Sequence, residues 1–535
     1  MTISRRKFLV TATAGAAVAA VGGTELVSAL TSSANAASPA GDVVGKITVG
    51  YQGWFACAGD GAPINGWWHW SQNMASAPSP SNTNIKAWPD MSAYTKTYQT
   101  AFSNFNNGQP ATLFSSYDQQ SVNTHFSWMQ QNGCDTAALQ RFNPTGGEGP
   151  TRDAMAAKVR TAAETYGRKF YIMYDVSGWT TMQADIKADW TNKMSAYTSS
   201  SAYARQNGKP VVCIWGFGFN DANHNFTAAE CLDVVNWFKS QGCYVIGGVP
   251  TYWRTGVSDS RAGFLSVYHA FNMLSPWMVG RIGTAADSDG FYTNVNVPDQ
   301  ADCNSNGIDY QPCVLPGDLS ARQRAHGDFM WRQFYNMVRT GAQGIYISMF
   351  DEYGEGNQIA NTAATQATVP AGSGLLSLDE DGTACSADYY LRLTNDGGRM
   401  LKGQIALTAT RPTLPVPTTS TTGGCGALGV NQNLTVNQSL LSCDGRFKLI
   451  LGGDGNLVLY QGSTALWSAN TAGKGGTVVY MQGDGNFVLY NASGSPVWSS
   501  GTAGHAGATL TVQNDGNVVI SSGGSTLWST GTGGH

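Results

Sequence analysis

The sequence is short of charge and has no basic excess. Only 12% of its 535 residues are Asp, Glu, Lys or Arg, and the formal net charge is −4. Binding to nucleic-acid phosphates requires a basic patch, so the composition argues against a nucleic-acid partner. The chain is instead rich in glycine (65 residues) and tryptophan (16 residues). Low charge with abundant glycine and aromatic residues is typical of secreted proteins that bind neutral polar ligands.

Motifs for metal binding are missing as well. The chain has no Cys-x-x-Cys, and its seven histidines show no His-x-x-x-His spacing, so we predict no zinc site and no cofactor. Ten cysteines, an even number, favour disulfides in an exported protein. Cys134 and Cys213 lie in apolar runs and are candidates for buried free thiols. The expected disulfides, each enclosing a short polar loop, are Cys303–Cys313 and Cys425–Cys443.

Beyond the N-terminal region, the chain has no apolar run of the ~20 residues that a membrane-spanning helix requires. At the N-terminus, Arg5 and Arg6 form a twin-arginine pattern. A glycine-rich apolar stretch and a small-x-small cleavage signal ending at Ala36 follow. We therefore predict a twin-arginine signal peptide over residues 1–36 and secretion from a bacterial cell, with no membrane partner. The alternative is that this segment remains as an uncleaved anchor.

The length of 535 residues exceeds what one core can organise, so two or three domains are expected. Residues 37–407 contain eight short apolar runs separated by helical patterns. This alternation predicts a parallel sheet, and eight strands predict an α/β fold, a (β/α)8 TIM barrel with long insertions. An open doubly wound sheet is the alternative, although no Gly-x-Gly-x-x-Gly follows the first strand. The expected strands are 46–51, 111–114, 135–139, 170–174, 210–215, 244–247, 271–275 and 344–348.

The residues that follow these strands are mostly aromatic or polar. In a (β/α)8 barrel, the carboxyl ends of the strands carry the functional site. Aromatic faces can stack on sugar rings while carboxylates and amides bond sugar hydroxyls, so the set predicts a carbohydrate-binding rim. The alternative is that the aromatic residues only cap the barrel core. The predicted substrate-binding residues are Tyr51, Gln52, Trp54, Asp175, Trp215, Tyr252, Trp253, Asp351 and Gln358.

Three carboxylates cluster after the eighth expected strand, at Asp351, Glu352 and Glu355. If this segment begins a helical turn, Glu352 and Glu355 share one face because they are three residues apart. Like charges held together raise the pKa of one partner, which suits an acid/base pair. We therefore predict Glu352 and Glu355 as catalytic residues. The alternative is a solvated acidic loop.

A polar insertion precedes this cluster. Asp302, Asn304 and Asn306, followed by Gly307, match the start of a calcium-binding loop. Cys313 stands where such a loop places a glutamate. The preferred interpretation is therefore an Asn/Gly turn closed by a disulfide, and Ca²⁺ bound by these three residues is the alternative.

Composition changes toward the C-terminus. Proline and threonine dominate residues 408–424, which predicts an extended linker. Residues 425–535 contain a threefold repeat, whose aspartates Asp454, Asp484 and Asp515 are 30 and 31 positions apart. A period near 30 with alternating short strands predicts three equivalent β units around a pseudo-threefold axis. One tryptophan follows each copy, and we expect the three tryptophans to fill that axis.

Polar and aromatic residues alternate within each copy, so they share one strand face. This row can bond sugar hydroxyls; a structural polar ladder is the alternative. The pattern resembles the Gln-x-Asp-x-Asn-x-Val-x-Tyr site of bulb-type mannose-binding lectins, which implies an all-β β-prism II domain that binds mannose-containing glycans. Gly452 and Ser521 interrupt it in the first and third copies. The implied mannose-binding residues are Gln482, Asp484, Asn486, Val488 and Tyr490, with Asp454, Asn456 and Tyr460 in the first copy and Gln513, Asp515 and Asn517 in the third.

The expected barrel resembles glycoside hydrolase families 99 and 71, which include endo-α-mannosidases and α-1,3-glucanases. The resemblance rests on residues 351–359, Asp-Glu-Tyr-Gly-Glu-Gly-Asn-Gln-Ile. It implies that Glu355 is the general acid/base and Glu352 its partner carboxylate. Glu352 would act on the sugar's own 2-hydroxyl, as a nucleophile, or as a base for water. Asp351 replaces the asparagine of these families, so the substrate linkage does not carry over.

These features together predict a secreted, endo-acting glycoside hydrolase. Its substrate would be an α-linked polysaccharide, either α-mannan or a fungal-wall α-glucan, and the lectin module would hold it there. The alternative is a non-catalytic carbohydrate-binding or adhesion protein whose barrel has lost its activity.

Overall fold

The computed structural model describes residues 38–416, 426–442, 446–523 and 525–535. The chain divides into two compact units between residues 417 and 418. The predicted signal peptide, residues 1–36, lies outside the described residues. None of the helices in the described part of the chain is both long enough and apolar enough to cross a bilayer.

The first unit is built on a ring of eight parallel strands. Each strand pairs with the strands before and after it in sequence, and the last pairs with the first. The strands are largely buried because side chains fill the interior and helices cover the outside. They are β1 (Ile47–Tyr51), β2 (Thr136–Arg141), β3 (Lys169–Asp175), β4 (Lys209–Trp215), β5 (Tyr244–Val249), β6 (Met273–Pro276), β7 (Asp309–Tyr310 and Cys313–Val314) and β8 (Ile345–Ile347).

Strand β7 closes this ring and was not among the expected strands. Its first half pairs with β6 and its second half pairs with β8. Between the halves, the Gln311 amide donates to the carbonyl of Leu274 on β6, and the Pro312 carbonyl accepts from Tyr346 on β8. The curled parallel sheet therefore resembles a TIM barrel, with a different set of strands from the one predicted.

The expected strand at residues 111–114 is wrong as a barrel strand. Thr112–Leu113 pairs antiparallel with Tyr98–Gln99 in a separate two-stranded sheet. This small sheet belongs to the long insertion between β1 and the first helix. The insertion therefore lies at the carboxyl end of β1, beside the rim of the barrel.

Helices connect the strands, and local sequence sets several of their ends. Thr227 and Glu230 form a reciprocal capping box at the start of one helix. Gly341, with a φ of 87°, ends another in the left-handed region that glycine tolerates. The α-helices are α1 (Gln119–Gln131), α2 (Gly149–Tyr166), α3 (Met182–Asn192), α4 (Ala228–Ser240), α5 (Leu265–Tyr268), α6 (Ala285–Phe291), α7 (Val297–Asn306), α8 (Asp328–Thr340) and α9 (Tyr389–Leu401).

The expected Cys303–Cys313 disulfide is wrong. Cys303 lies in α7 and Cys313 in β7, and both are buried free thiols. Cys134 and Cys213 are also buried and free, which confirms that prediction. The predicted Cys425–Cys443 pair lies outside the described residues.

Residues 408–416, expected as the start of a free linker, pack against the first unit. The Thr413 hydroxyl is buried and donates to Asp396 at 2.6 Å. Arg411 pairs with Asp328 at 2.8 Å. The first unit therefore continues past the expected boundary at residue 407.

The second unit consists of three four-stranded antiparallel sheets. Each sheet takes three consecutive strands from one sequence repeat, and its remaining strand comes from residues 427–441. The sheets contain Ser439–Leu441, Phe447–Leu451, Leu457–Gln461 and Thr464–Ser468; Gln432–Thr435, Gly476–Met481, Phe487–Asn491 and Pro496–Ser499; and Ala427–Leu428, Thr509–Val512, Val518–Ser522 and Ser525–Ser529.

The three repeat tryptophans meet at the centre of the second unit. The ring centroids of Trp467, Trp498 and Trp528 lie 5.6 to 5.8 Å apart in edge-to-face contacts. Each sheet contributes one tryptophan, so the contacts relate the sheets by a pseudo-threefold axis. This confirms the expected arrangement of three equivalent β units.

Candidate functional site

The acidic segment after β8 forms a tight turn at the carboxyl end of the barrel. One carboxylate oxygen of Glu352 accepts from the amides of Gly354 (3.1 Å) and Glu355 (3.3 Å). The other accepts a short hydrogen bond from Nε2 of Gln52, at the end of β1. Both oxygens of the Glu352 side chain therefore act as hydrogen-bond acceptors. Glu352 is thus a buried carboxylate held in one orientation.

Glu355 belongs to the same turn but is less enclosed. Its side chain is half-buried, whereas Glu352 is 5% exposed. Gly354 separates the two glutamates; a Cβ there would lie 3.0 Å from the Glu352 carboxylate. The turn therefore combines one fixed carboxylate with one less buried carboxyl group, and the absence of a side chain at Gly354 leaves room for the Glu352 carboxylate.

Buried Arg324 supports the turn from below. One of its terminal nitrogens donates to the carbonyls of Gly356 and Gln358, both at 2.8 Å. The guanidinium itself is 2% exposed and lies over the ring of Tyr390. A planar guanidinium binding two carbonyls fixes the backbone on the far side of Glu355.

Asp351 joins β8 to β1. Its two carboxylate oxygens accept from the amides of Gln52 and Gly53, each at 2.8 Å. Burial raises the pKa of Asp351 to about 6, although both amide bonds and Arg152 act in the opposite direction. The sequence predicted a raised pKa from repulsion between glutamates. The main cause of the raised pKa of Asp351 is loss of hydration, not repulsion between carboxylates.

Three of the predicted substrate-binding residues lie within the core instead. The Tyr51 hydroxyl is buried and bonds His125 at 3.0 Å. Trp253 is 1% exposed and donates to Asp299 at 2.9 Å. Gln358 is fully buried and bonds Thr362. These side chains support the rim from beneath and do not line it.

Trp54 and Trp215, two predicted aromatic residues at strand ends, each pack against another ring. Trp54 is half-buried and stacks on His69 with centroids 3.7 Å apart. Trp215 contacts Trp277 edge-to-face at 5.4 Å, beside a small cavity inside the barrel. Trp277 follows the expected strand at residues 271–275 and belongs to the aromatic strand ends. His69 was not predicted, since a histidine inside an insertion carries no specific signal.

Tyr252 and Asp175 complete the predicted set. Tyr252 is half-buried and lies 6.2 Å from the ring of Phe291. Asp175, at the end of β3, is buried and accepts from the Ser177 hydroxyl at 2.5 Å. The structure therefore brings Gln52, Glu352 and Asp351 into direct contact, whereas Asp175, Trp215 and Tyr252 lie at or after the ends of other strands.

The segment compared with a calcium loop is helical. Asp302, Asn304 and Asn306 lie in α7, and the Asp302 carboxylate bonds His269 at 2.7 Å. Among the residues that the structure describes, no group of three or more His, Cys, Asp or Glu side chains could hold a metal ion. The expected Asn/Gly turn is therefore wrong for residues 302–306, because they are helical, whereas Ca²⁺ binding there stays a prediction.

The second copy of the repeat has an ordered row of polar groups. Nε2 of Gln482 donates to the Tyr490 hydroxyl at 2.8 Å. The Asp484 carboxylate is exposed and accepts from the Asn486 amide at 3.0 Å. The side-chain oxygen of Asn486 accepts from the Thr502 amide at 3.1 Å. The side-chain nitrogen of Asn486 is then the group that a sugar could reach. Val488 is 4% exposed.

The other two copies share the turn but lack part of the row. In both copies the asparagine side-chain oxygen accepts a hydrogen bond from a threonine amide. Asn456 accepts from Thr471 at 2.9 Å, and Asn517 accepts from Thr532 at 3.3 Å. In the first copy, a Cβ at Gly452 would meet the Asp454 carboxylate at 2.7 Å. The asparagine therefore has a structural role in all three copies. Only the second copy has both the glutamine and the tyrosine that form the Gln482–Tyr490 hydrogen bond.

Tyr480 is a neighbour of the second site that the repeat pattern did not reveal. It pairs across the sheet with Val488 and lies 6.3 Å from Tyr490, edge to face. Its side chain is 36% exposed. Ile450 and Thr511 occupy the equivalent register positions in the other copies. An exposed aromatic ring therefore adjoins only the copy with the complete motif.

Comparison with known proteins finds no matching protein-family profile. The B-type lectin plumieribetin from Scorpaena plumieri is 40% identical over 67 residues, which is 12% of this chain and 58% of that protein, so the match spans little more than half of that relative. The mannose-specific agglutinin from snowdrop (Galanthus nivalis) bulbs is 38% identical, covering 20% of this chain and 96% of the agglutinin at a TM-score of 0.18. The GH99 endo-α-mannosidase from Bacteroides thetaiotaomicron is 15% identical, covering 68% and 98% at a TM-score of 0.49.

Proposed function

We propose that this protein is a glycoside hydrolase that cleaves an α-linked polysaccharide, α-mannan or a fungal-wall α-glucan, from within the chain. The observation that carries the proposal is the turn after β8. It places Glu352 and Glu355 at the carboxyl end of a parallel barrel, where such folds carry their chemistry. Two carboxyl groups with different surroundings are the machinery of glycoside hydrolysis.

The different surroundings of the two side chains support a division of roles. Glu355, half-buried and reachable, protonates the leaving glycosidic oxygen as general acid. Glu352, fixed by Gln52 and two amides, is the partner carboxylate. It acts on the substrate's 2-hydroxyl, on the anomeric carbon, or on water, and the stereochemistry of the product distinguishes these routes.

We propose that the second unit is a β-prism II lectin module that binds mannose-containing glycans, mainly through its second copy. Gln482, Asp484, Asn486 and Tyr490 offer donors and acceptors along one strand face. The B-type lectin that is 40% identical over 67 residues supports this assignment. Export by the twin-arginine route, read from Arg5 and Arg6, would place both units outside the cell.

The test is hydrolysis of yeast mannan and of α-1,3-glucan by the full-length protein and its Glu355→Gln variant. We expect one polysaccharide to be cleaved and the variant to be slower by about 10²–10⁴-fold. A Gln482→Ala, Asp484→Ala double variant should hydrolyse soluble fragments normally and lose retention on mannan. If the intact protein binds mannan but cleaves neither polymer, the alternative of a carbohydrate-binding protein with an inactive barrel replaces the proposal.

A further inference from the structure

Arg152 of α2 bridges the ends of two neighbouring barrel strands. Its Nη1 donates to the backbone carbonyl of Gln52, directly after β1, at 2.8 Å, and to that of Gln140, in β2, at 3.3 Å. Its Nε donates to the Glu148 carboxylate at 2.8 Å. A guanidinium holds its donors in a fixed planar fork, so one side chain makes all three contacts. Arg152 therefore ties α2 to the residue whose side chain holds Glu352.

Aromatic rings enclose this guanidinium. Its central carbon lies 4.6 Å from the ring centroid of Phe142, 4.9 Å from that of Trp68 and 5.7 Å from that of Trp54. The Arg152 side chain is 2% exposed. Cation–ring contacts stabilise the charge where water is excluded, and low local polarity strengthens the hydrogen bonds that the charge donates. Because so little of the guanidinium is exposed, Arg152 acts on the site through Gln52 and not by touching a substrate.

The Gln52–Gly53 peptide group is held from both sides. Arg152 donates to its carbonyl, the Gln52 oxygen, while its amide, the Gly53 nitrogen, donates to Asp351 at 2.8 Å. A cation thus faces the negative end of the peptide dipole, and a carboxyl group faces the positive end. Hydrogen bonds from a charged donor are stronger than neutral ones, and bonds in series polarise one another. Rotation of this peptide group would break both bonds, so the two contacts resist it together.

The packing of α2 restricts the same position. Gly53 has a φ of 57°, and a Cβ there would lie 2.9 Å from the terminal methyl group of Met155. Arg152 and Met155 are three residues apart, so they share one face of α2. That face supplies both the hydrogen bond to the Gln52 carbonyl and the surface against which Gly53 packs.

We propose that Arg152 is a positioning residue that fixes the Gln52–Gly53 peptide group and, through the Gln52 side chain, the carboxylate of Glu352. The Gln52 amide donates to Asp351 at 2.8 Å, and Nε2 of Gln52 donates to Glu352. The backbone amide, the backbone carbonyl and the side-chain nitrogen of Gln52 are thus each bonded to a different ionisable residue. This inference rests on the proposed function of the barrel, because it concerns the orientation of the proposed partner carboxylate.

The first experiment measures kcat and KM of the full-length protein on the polysaccharide that the wild type cleaves. Arg152→Lys retains the charge without the planar fork, and Arg152→Gln retains one planar donor without the charge. Each should lower kcat by about tenfold because Glu352 is less well oriented, and should change KM by less than about twofold because no substrate contact is removed. Two variants are used so that one is available if the other does not fold.

Arg141→Lys is the matched control. Arg141 is also 2% exposed, lies next to Gln140 on β2, and pairs with Asp153 of α2 and Asp189 of α3. The control therefore loses a buried guanidinium beside the same helix without losing a bond to Gln52. Its kcat should stay within about twofold of wild type. Equal losses of kcat in the Arg141 and Arg152 variants, or a change in KM with kcat intact, overturn the proposal.

A second measurement does not depend on hydrolysis. Hydrogen–deuterium exchange is followed by mass spectrometry in the fragment that contains Gln52 and Gly53. The amides of these two residues should exchange about tenfold faster in Arg152→Lys, because their bonds to Asp351 open more often, and at the wild-type rate in Arg141→Lys. Unchanged exchange in Arg152→Lys contradicts the proposed hold on Gln52. Faster exchange confined to the Arg152 variants, in a wild-type protein that hydrolyses no polysaccharide, would overturn only the proposed function.

Discussion

Gln52 donates a hydrogen bond from Nε2 to the carboxylate of Glu352, although the two residues are 300 positions apart in sequence. One residue follows the first barrel strand and the other follows the last, and these strands are neighbours in the ring. The bond therefore crosses the seam at which the ring joins its two ends. The orientation of the proposed partner carboxylate depends on the barrel being closed.

The first prediction concerns this bond. Gln52→Leu should lower kcat by about 100-fold because Glu352 loses the donor that fixes it. Gln358→Leu is the matched control, since it also removes a buried glutamine, whose amide bonds Thr362 instead. Rates are measured on the polysaccharide that the wild type cleaves, with unfolding curves for both variants. Equal losses of kcat in the two variants would show that Gln52 acts only through stability.

A second prediction concerns Tyr480. Tyr480→Ile, which installs the residue found at the same register position of the first copy, should weaken binding of a mannose disaccharide by roughly three- to tenfold. Binding of single mannose should change little, because the ring adjoins the Gln482–Tyr490 pair without bonding it. Calorimetric titration of full-length protein with both sugars tests this. A parallel loss for both would assign Tyr480 to the primary site.

A third prediction addresses the axis of the second unit. Trp498→Ala removes a ring that contacts Trp467, Trp528 and Phe487. The second unit should lose about 3 kcal/mol of unfolding free energy, since an aromatic truncation leaves a cavity. Mannan retention should fall with it, while polysaccharide hydrolysis by the first unit persists. Loss of both activities together would mean that the two units unfold as one.

The sequence predicted seven of the eight barrel strands because these are apolar runs buried on both faces. It missed β7 because Asp309 and Gln311 are polar and Pro312 has no amide to donate, so the segment does not resemble a strand. These polar side chains form hydrogen bonds in the structure. Asp309 bonds Tyr244, and Gln311 bonds Thr48 at 3.2 Å. The apolar run at 111–114 belongs to an insertion that pattern alone cannot distinguish from the barrel.

The sequence could predict a site residue when following a barrel strand was enough to bring it to the site, as for Glu352. Which way a strand-end side chain points was not predictable, because Tyr51 faces α1 and bonds His125 while its neighbour Gln52 faces the carboxylates. His224 bonds both Asp221 and Ser177, and Ser177 bonds Asp175; no sequence spacing predicts these contacts between two strand ends and a loop. Contacts between distant segments depend on the closed ring.

The last prediction concerns Asp351 and pH. An unfolded aspartate has a pKa of about 3.9, whereas burial raises the pKa of Asp351 to about 6 in the folded protein. Between these values the native state holds a proton that the unfolded state has lost. The unfolded state binds fewer protons there, so this group lowers the unfolding free energy as pH rises from about 4 to about 6. The loss should total about 3 kcal/mol and then level off.

Asp351→Asn should remove that decline, because asparagine does not titrate. At low pH the variant should be less stable than wild type by about 1–3 kcal/mol, since its amide nitrogen would face a backbone donor, the amide of Gln52 or of Gly53. The difference should shrink or reverse above about pH 6, where the wild-type carboxyl is ionised at a cost. Urea unfolding at several pH values measures it, with the transition of the second unit as an internal control. Parallel stability curves for wild type and variant would mean that Asp351 ionises at its ordinary pH in the folded protein.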